Sequence, residues 1–391
     1  MLSALRLLSA LSACCLSAIA ALSVAGSTGI VIPTVLMEEF VQSTSVLERE
    51  LNDWKLSSAG QLAKEHGYFL PASSRLRIES SSTAAQDEEL RRFFLTKQRI
   101  AEVQTENPEA EFSTDSPFTL LTDDEFAEFV GRSFHHESHG LQDLAANASE
   151  TVEEDAASID LLADSKDWTT SGCVAPVKNQ GQCGSCWAFA AIAALESAWC
   201  LAGHELTTLS EQQLVSCDST SYGCQGGFPG DALKFVQQQG GVCRETDYPY
   251  TSGDSGDSGQ CDEASNWIGE GSCAPESIAI RQVVSVPKSE AGLLKAVRGQ
   301  PVAVGVAAGN STWKQYKRGV ITSCTSSQLD HAVLVVGFGG GSGGGTNPAF
   351  FKIKNSWGTA WGEQGFIRLK RGVAGAGTCG IIGDKSVYPI V

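Results

Sequence analysis

Between Cys15 and Cys173 the chain has no cysteine, although it carries 13 in 391 residues. Cys14 and Cys15 lie in an apolar N-terminal run, so the other eleven, Cys173 to Cys379, confine any cysteine chemistry to the C-terminal part. Histidine is scarce as well: six in all, and only His204 and His331 beyond residue 140. Any imidazole-dependent site there must use one of those two. Positive charge is short, 28 Lys and Arg against 45 Asp and Glu for a net of −17, and no basic patch forms a nucleic-acid footprint. Cys183-x-x-Cys186 lacks a second close Cys or His pair, which argues against a zinc site. It also lacks the surrounding alternation of strands and helices that a thioredoxin-like redox pair needs. No metal and no cofactor are expected.

Charge of either sign is missing from residues 7–37. Arg6 precedes the apolar run Leu7 to Val24, and Ser23-Val24-Ala25 offers a small-residue cleavage site before Gly26. That layout predicts a secretory signal over residues 1–25, with an uncleaved type II anchor as the alternative. No other segment is apolar enough to span a bilayer, so no membrane association of the mature form is expected. An oxidising compartment follows: eleven cysteines less one reactive thiol leave ten, an even number for five bridges. Asn147-Ala148-Ser149 and Asn310-Ser311-Thr312 are sequons that such a compartment would use, making Asn147 and Asn310 candidate glycan carriers.

The most informative stretch present is Gln180-Gly181-Gln182-Cys183-Gly184-Ser185-Cys186-Trp187. Ala188 to Ala202 follows without glycine or proline and with one charge, Glu196, the pattern of a buried helix. Cys186 therefore sits at a helix start, where free N–H groups and the positive end of the helix dipole favour a thiolate. A thiol nucleophile needs a base. His204 lies past the far end of that helix, roughly 25 Å away by helical rise. His331 leads the apolar run Ala332 to Gly339, of strand type. The next apolar stretch, Phe350 to Gly358, supplies Asn355 to orient the imidazole and Trp357 to shield that hydrogen bond.

These residues resemble the papain and cathepsin family of cysteine proteases. Its local signature, Cys-Gly-[Ser/Ala]-Cys-[Trp/Tyr] with His and Asn about 130–150 residues downstream, reads here as Cys183-Gly184-Ser185-Cys186-Trp187. His331 follows Cys186 by 145 residues and Asn355 by 169; the glycine-rich run Gly339 to Gly345 accounts for part of the excess as a lengthened surface loop. Asp167-Trp168, Ser210-Glu211-Gln212, Gly223-Cys224-Gln225-Gly226-Gly227 and Trp357-Gly358-Thr359-Ala360-Trp361-Gly362 match further family motifs. The resemblance implies an α+β fold, a helical domain over about 165–275 facing a β-barrel-like domain from about 280, with the active-site cleft between them. It assigns Cys186 as nucleophile, His331 as acid and base, Asn355 as orienter and Gln180 as oxyanion donor. Gly226, Gly227, Phe228, Pro229, Leu329, Ala332, Trp357 and Asp384 would line the substrate cleft. Phe228, Pro229, Leu329 and Ala332 form the apolar walls of the pocket for the residue before the cleaved one, and Asp384 its floor. It implies the disulfides Cys183–Cys224, Cys217–Cys261 and Cys324–Cys379. Falcipain-type relatives imply Cys243–Cys273, leaving Cys173 and Cys200 for each other. The activity implied is cysteine-type endopeptidase hydrolysis of peptide and protein substrates by a monomer; the rival is an inactive homologue that binds peptides.

The acidity lies upstream. Residues 1–161 hold 11 Lys and Arg against 26 Asp and Glu, and residues 162–391 hold 17 against 19. Asp87 to Asn107 reads as a charged amphipathic helix without glycine or proline. Ahead of a papain-like domain it resembles the inhibitory helix of cathepsin L-type propeptides. Glu88, Arg92, Val103 and Asn107 fall on that motif's spacing, while Thr96 and Arg99 depart from it. Phe118 to Phe126 resembles the segment that leads such a propeptide toward the cleft. Residues 26–161 are thus expected to be a propeptide and the enzyme's own inhibitor, with its inhibitory part over about 85–130. An acidic linker follows at about 137–161, and the mature domain spans 162–391. His135-His136-x-x-His139 reads as a polar loop, with pH sensing in the zymogen as the alternative. Residues 37–86 match no motif. The layout implies the secretory pathway, ending in a lysosome or vacuole or outside the cell.

Overall fold

The computed structural model describes residues 29–69, 82–133, 165–261, 276–341, 348–383 and 385–391. The stretch from residue 37, silent at the level of motif, folds as α1 (Met37–Leu56) and α2 (Ser58–Glu65). Leu47, Leu51 and Trp54 are buried on one face of α1, the i, i+4, i+7 stripe of an amphipathic helix. That face packs on α3 (Ser82–Glu106), where Phe40 meets Phe94 edge-on at 5.2 Å. Ser57 ends α1 and caps α2, its hydroxyl accepting from Gly60 N at 3.2 Å.

The propeptide-like helix motif proves to be a set of anchors. Arg92 is buried: its Nε donates to Glu88 at 2.8 Å, and Nη1 donates to Glu125 at 2.5 Å and to the Leu120 carbonyl at 3.0 Å. Glu125 belongs to α4 (Asp123–Gly131), which opens with a complete capping box between Thr122 and Glu125. Thr96 donates to the Thr119 carbonyl at 2.8 Å. Asn107 Oδ1 accepts from the backbone of Thr322 and Ser323 at 2.9 and 2.8 Å, tying the end of α3 to the C-terminal part.

Between α3 and α4, β1 (Ala110–Phe112) joins the sheet of the C-terminal part. After β2 (Lys166–Asp167) come α5 (Cys186–Leu201), α6 (Glu211–Cys217) and α7 (Pro229–Gln239). Apart from short helical turns, the elements that follow are β3 (Gln282–Ser285), α8 (Glu290–Gly299), β4 (Val302–Val306), β5 (Tyr316–Ile321), β6 (His331–Gly339), β7 (Phe350–Lys354), β8 (Phe366–Lys370) and β9 (Val387–Ile390). Strand order is β1-β5-β8-β7-β6-β4-β9-β3, with β2 also pairing β6; pairs are antiparallel except β5–β8. The α+β architecture is as expected, and the barrel-like half is, among the described residues, one open sheet whose ends, β1 and β3, do not meet.

Helix α5 has no solvent face over its first thirteen residues, Cys186 to Ala198, all of them buried. It lies between the sheet, against β4, β6 and β9, and the helices α6 and α7. A helix apolar all round is stable only in such a position. Strand β6 is buried at every position, the continuous apolar run of a strand covered on both faces. The start of α5 and the start of β6 thus meet inside the molecule.

Candidate active site

Cys186 is the first residue of α5. Gly184, in the turn before it, has no room for a side chain: a Cβ would stand 2.4 Å from the Cys224 carbonyl oxygen. The Cys183–Cys224 disulfide locks that turn. The Cys186 sulfur accepts from the Ala332 backbone N–H at 3.2 Å, so the residue after His331 touches the nucleophile.

His331 is fully buried, with Nε2 2.7 Å from Asn355 Oδ1. That oxygen also accepts from Ser356 N at 2.8 Å, which identifies it as the acceptor. Nε2 therefore carries the proton, and Nδ1, buried with no hydrogen-bond partner, keeps its lone pair for the thiol proton. Trp357 stacks on the imidazole, ring centroids 4.7 Å apart. Gln180 is held at both ends of its side chain: Oε1 accepts from Ser356 Oγ at 2.8 Å, and Nε2 donates to the Cys183 carbonyl at 2.9 Å. One amide proton of Gln180 remains uncommitted.

The N-terminal part closes this site. The Ser133 carbonyl accepts from Gly227 N at 3.4 Å, and its side chain lies by the Cys186 sulfur. Gly226, at φ +112°, would set a Cβ 2.9 Å from the Ser133 backbone. Phe118 and Phe126 stand edge-on to Trp357 at 5.2 and 5.6 Å. Beside Gln180, Asn179 Nδ2 lies 2.8 Å from His66 Nε2, and the Gln182 side chain donates to the His66 carbonyl. Burial sets the protonation of the pair. It pushes the Cys186 thiol up to about 12. It holds His331 down to about 4, although the Asn355 hydrogen bond pulls the other way. In this closed form both groups are neutral.

Most of the charged pairs between the two parts set an acid of the N-terminal part on a base of the other; His66 and Asp254, 3.9 Å apart, run the opposite way. Asp123 pairs with Lys314 at 2.8 Å, Glu111 with Arg318 at 2.6 Å, and Asp115 with Lys317. Burial raises the Asp123 carboxyl, but Lys314, Ser311 and Arg99 outweigh it, and its pKa falls below the usual value.

A family model described as papain family cysteine protease matches residues 162–390. The chain belongs to the papain family. A senescence-specific cysteine protease of Oryza sativa subsp. indica, SAG39, is 41% identical over 235 residues, 59% of this chain and 64% of that relative's length. Cysteine proteinase A of Leishmania mexicana is 38% identical over 291 residues, 73% of this chain and 76% of the relative. Among solved structures, the proform of the ragweed pollen cysteine protease Amb a 11 aligns with a TM-score of 0.66 at 29% identity. It covers 90% of this chain and 97% of that one. Digestive procathepsin L 3 of Tenebrio molitor aligns with a TM-score of 0.61 at 28% identity, over 86% of this chain and 100% of that one. These papain-like proforms span the N-terminal helices as well as the protease domain, so the fold of residues 29–133 is that of a propeptide.

In papain-family terms the remaining expected residues fall as follows. Pro229 is buried as the first residue of α7, and Phe228 caps that helix with the Lys385 ammonium 4.3 Å above its ring. Leu329 packs on Gly380 and Gly383, and Ala332 is buried beside the sulfur. Asp384 lies outside the described residues. Disulfides join Cys173–Cys200, Cys183–Cys224, Cys217–Cys261 and Cys324–Cys379. Cys243 is also disulfide-bonded, and Cys273, its expected partner, lies outside the described residues. Cys186 is the one free cysteine among those described. Asn310 does not fit its folded surroundings as a glycan carrier: it is 9% exposed and its amide nitrogen donates to the Ala307 carbonyl at 3.0 Å. Asn147, His135, His136, His139 and the apolar N-terminal run are outside the described residues. No helix among those described is long and apolar enough to cross a membrane, and no group of three or more His, Cys, Asp or Glu is placed to hold a metal.

Sequence reasoning missed Ser133, His66 and the half-buried Lys178, whose ammonium binds Glu196 at 3.2 Å and Glu211 at 2.7 Å. For the aromatic cover over Trp357 a signal existed: Phe118, Phe126 and Phe129 recur within twelve residues of a charged segment.

Proposed function

We propose that the chain is the zymogen of a cysteine endopeptidase, with residues 26–161 as its propeptide and 162–391 as the mature enzyme. The observation that supports this is the Cys186 sulfur held against Ala332 N–H, beside His331 with its Nε2 on Asn355, all covered by the chain's own Ser133. Once the cover leaves, water reaches the site. The burial that holds the thiol up and the imidazole down is relieved, and the proton can pass from sulfur to His331 Nδ1. The thiolate then attacks the scissile carbonyl carbon, and the oxyanion is received by the free amide proton of Gln180 and the Cys186 N–H. One such donor contributes about 3–4 kcal/mol. Imidazolium gives its proton to the departing amine; it then takes one from water, which cleaves the thioester and restores the thiol. Asn355 keeps the ring in the tautomer this sequence requires.

Four apolar residues, Phe228, Pro229, Leu329 and Ala332, support a preference for Leu, Val or Phe before the cleaved residue, with basic residues accepted through Asp384. The uncharged N-terminal run and the paired cysteines support passage through the secretory pathway to a lysosome, a vacuole or the exterior, as a monomer. The test is hydrolysis of a fluorogenic Leu-Arg peptide by matured protein, with labelling by an epoxide inhibitor of thiol proteases. Cys186→Ala should abolish both and leave the folded circular dichroism spectrum intact, and His331→Ala should be similarly severe. Asn355→Ala should be milder, losing orientation rather than a reacting group. Wild-type turnover by Cys186→Ala would refute the assignment.

A further inference from the structure

Behind the loop that carries Gln180 stands a second layer of side chains that the catalytic roles do not use. The Tyr250 hydroxyl donates to the Gln180 carbonyl at 2.8 Å and lies 2.7 Å from Ser185 Oγ. A phenol has one proton, and here it is spent on Gln180, so Ser185 is the donor to Tyr250. Burial pushes the Tyr250 hydroxyl above its ordinary range, so it keeps that proton across the working pH. The ring is held edge-on to Phe189 of α5 at 4.9 Å. The next residues are fixed by Gln212, of the Ser210-Glu211-Gln212 motif, whose Oε1 accepts from Thr251 N and Ser252 N at 2.8 and 3.0 Å. Its Nε2 donates to Ser252 Oγ at 2.8 Å. Gly253 closes the contact: its carbonyl accepts from Gln182 N at 2.7 Å, and a Cβ on Gly181 would stand 2.3 Å from that oxygen.

We infer that Tyr250, held by Gln212, is a positioning residue for the oxyanion hole, fixing the backbone of Gln180 and the side chain of Ser185 on either side of the nucleophile's turn. Tyr250 and Gln212 touch no substrate; they act through Gln180. Without the hydroxyl, the Gln180 carbonyl keeps only a 3.4 Å contact from Cys183 N, and the loop can shift away from the developing charge. The inference rests on the protease reading and deepens it.

Tyr250→Phe keeps the ring and its packing on Phe189 and removes only the hydroxyl. In the full chain, matured and titrated for active sites, kcat on a Leu-Arg peptide amide should fall about tenfold with KM unchanged, the scale of a partly misplaced donor. Affinity for a peptide aldehyde, whose tetrahedral adduct uses the oxyanion hole, should fall in parallel. Alkylation of Cys186 by iodoacetamide, which needs no oxyanion hole, should keep its wild-type rate. Ser185→Ala, which removes one leg of the brace, should show the same pattern more weakly and serves if Tyr250→Phe does not fold. Unchanged kcat in either folded variant overturns the inference, as does an equal loss of alkylation, which would mean that Tyr250 supports the thiol or the fold. A matured wild type that alkylates but hydrolyses nothing sinks the protease reading, and the brace with it.

Discussion

His331 is kept uncharged by the same contacts that keep it in place. Its value in the closed form, about 4 against an ordinary 6.5, gives closure a definite pH sign. A depressed histidine contributes its full stability above pH 6.5 and loses it as the pH falls toward 4, because opened molecules then bind a proton that closed ones refuse. The effect reaches roughly 3 kcal/mol at full protonation. Asp330 opposes it in part, since burial raises its carboxyl to about 6 and the closed form holds that proton more tightly. Specificity is settled at this scale too. Lys385 lies over Phe228; Asp384 is outside the described residues, and the proposal that it floors the pocket rests on the sequence resemblance, an acid there being able to meet an arginine whose stem lies on apolar walls. Asp384→Ala should lower kcat/KM for Arg-Arg peptides about tenfold, ~1.4 kcal/mol, with little change for Leu-Arg. Equal losses on both peptides would assign Asp384 to the fold instead. Cys186, His331 and Asn355 were legible in the sequence because the reaction admits few residue types and the chain has few of them. Ser133 and Tyr250 were not, since a hydroxyl beside a loop has no type or spacing that separates it from a solvated one.

At the scale of elements, propeptide and enzyme are joined by α3, α4 and β1, and the strongest charged joint is Asp123 to Lys314. Lys314 is 2% exposed, so removing its partner leaves a buried cation uncompensated; complete burial would make that worth 3–5 kcal/mol. Asp123 is itself partly exposed and solvent screens the pair, so we expect about 1 kcal/mol. Asp123→Asn should therefore shorten the half-time of self-processing of the full chain at pH 6 by about fivefold. The difference should persist at pH 4 and shrink only below the usual carboxylate range, where the wild-type carboxyl, held low in the closed form, takes up its own proton. Identical half-times at pH 6 would remove this pair from the latch. Helix α5 was readable from its unbroken apolar run, and α3 from its charged periodicity. Helices α1 and α2 carry the same kind of stripe but matched no motif, and the order of strands in the sheet was not legible because strand pairing depends on partners far away in sequence.

For the molecule as a whole, the charge division becomes an instruction to open in acid. Residues 1–161 hold 26 acids whereas residues 162–391 are nearly balanced, and most of the described joints set N-terminal carboxylates on C-terminal bases. Acid weakens that charge division and charges His331, and both act against closure, although Asp123 itself gives way only below the usual carboxylate range. Purified proenzyme should mature at least several-fold faster at pH 4.5 than at pH 7, followed by the appearance of peptide hydrolysis; equal rates would contradict both terms. The disulfides hold each half of the protease together while its cover is shed, since none of the four described bridges reaches into the propeptide.

Strand β1 belongs to the part proposed as the propeptide, yet it hydrogen-bonds to β5, and Gly319 there lets Glu109 approach to where a side chain would stand. Maturation therefore strips the sheet of its outermost member. What remains is a raw margin of amide and carbonyl groups, a place where any passing extended chain could adhere. Lys317 and Arg318, released from Asp115 and Glu111 at the same moment, stand along that margin as freshly bared like charges. The residues that fastened the lid thus become the guards that keep one finished enzyme from sticking to the next.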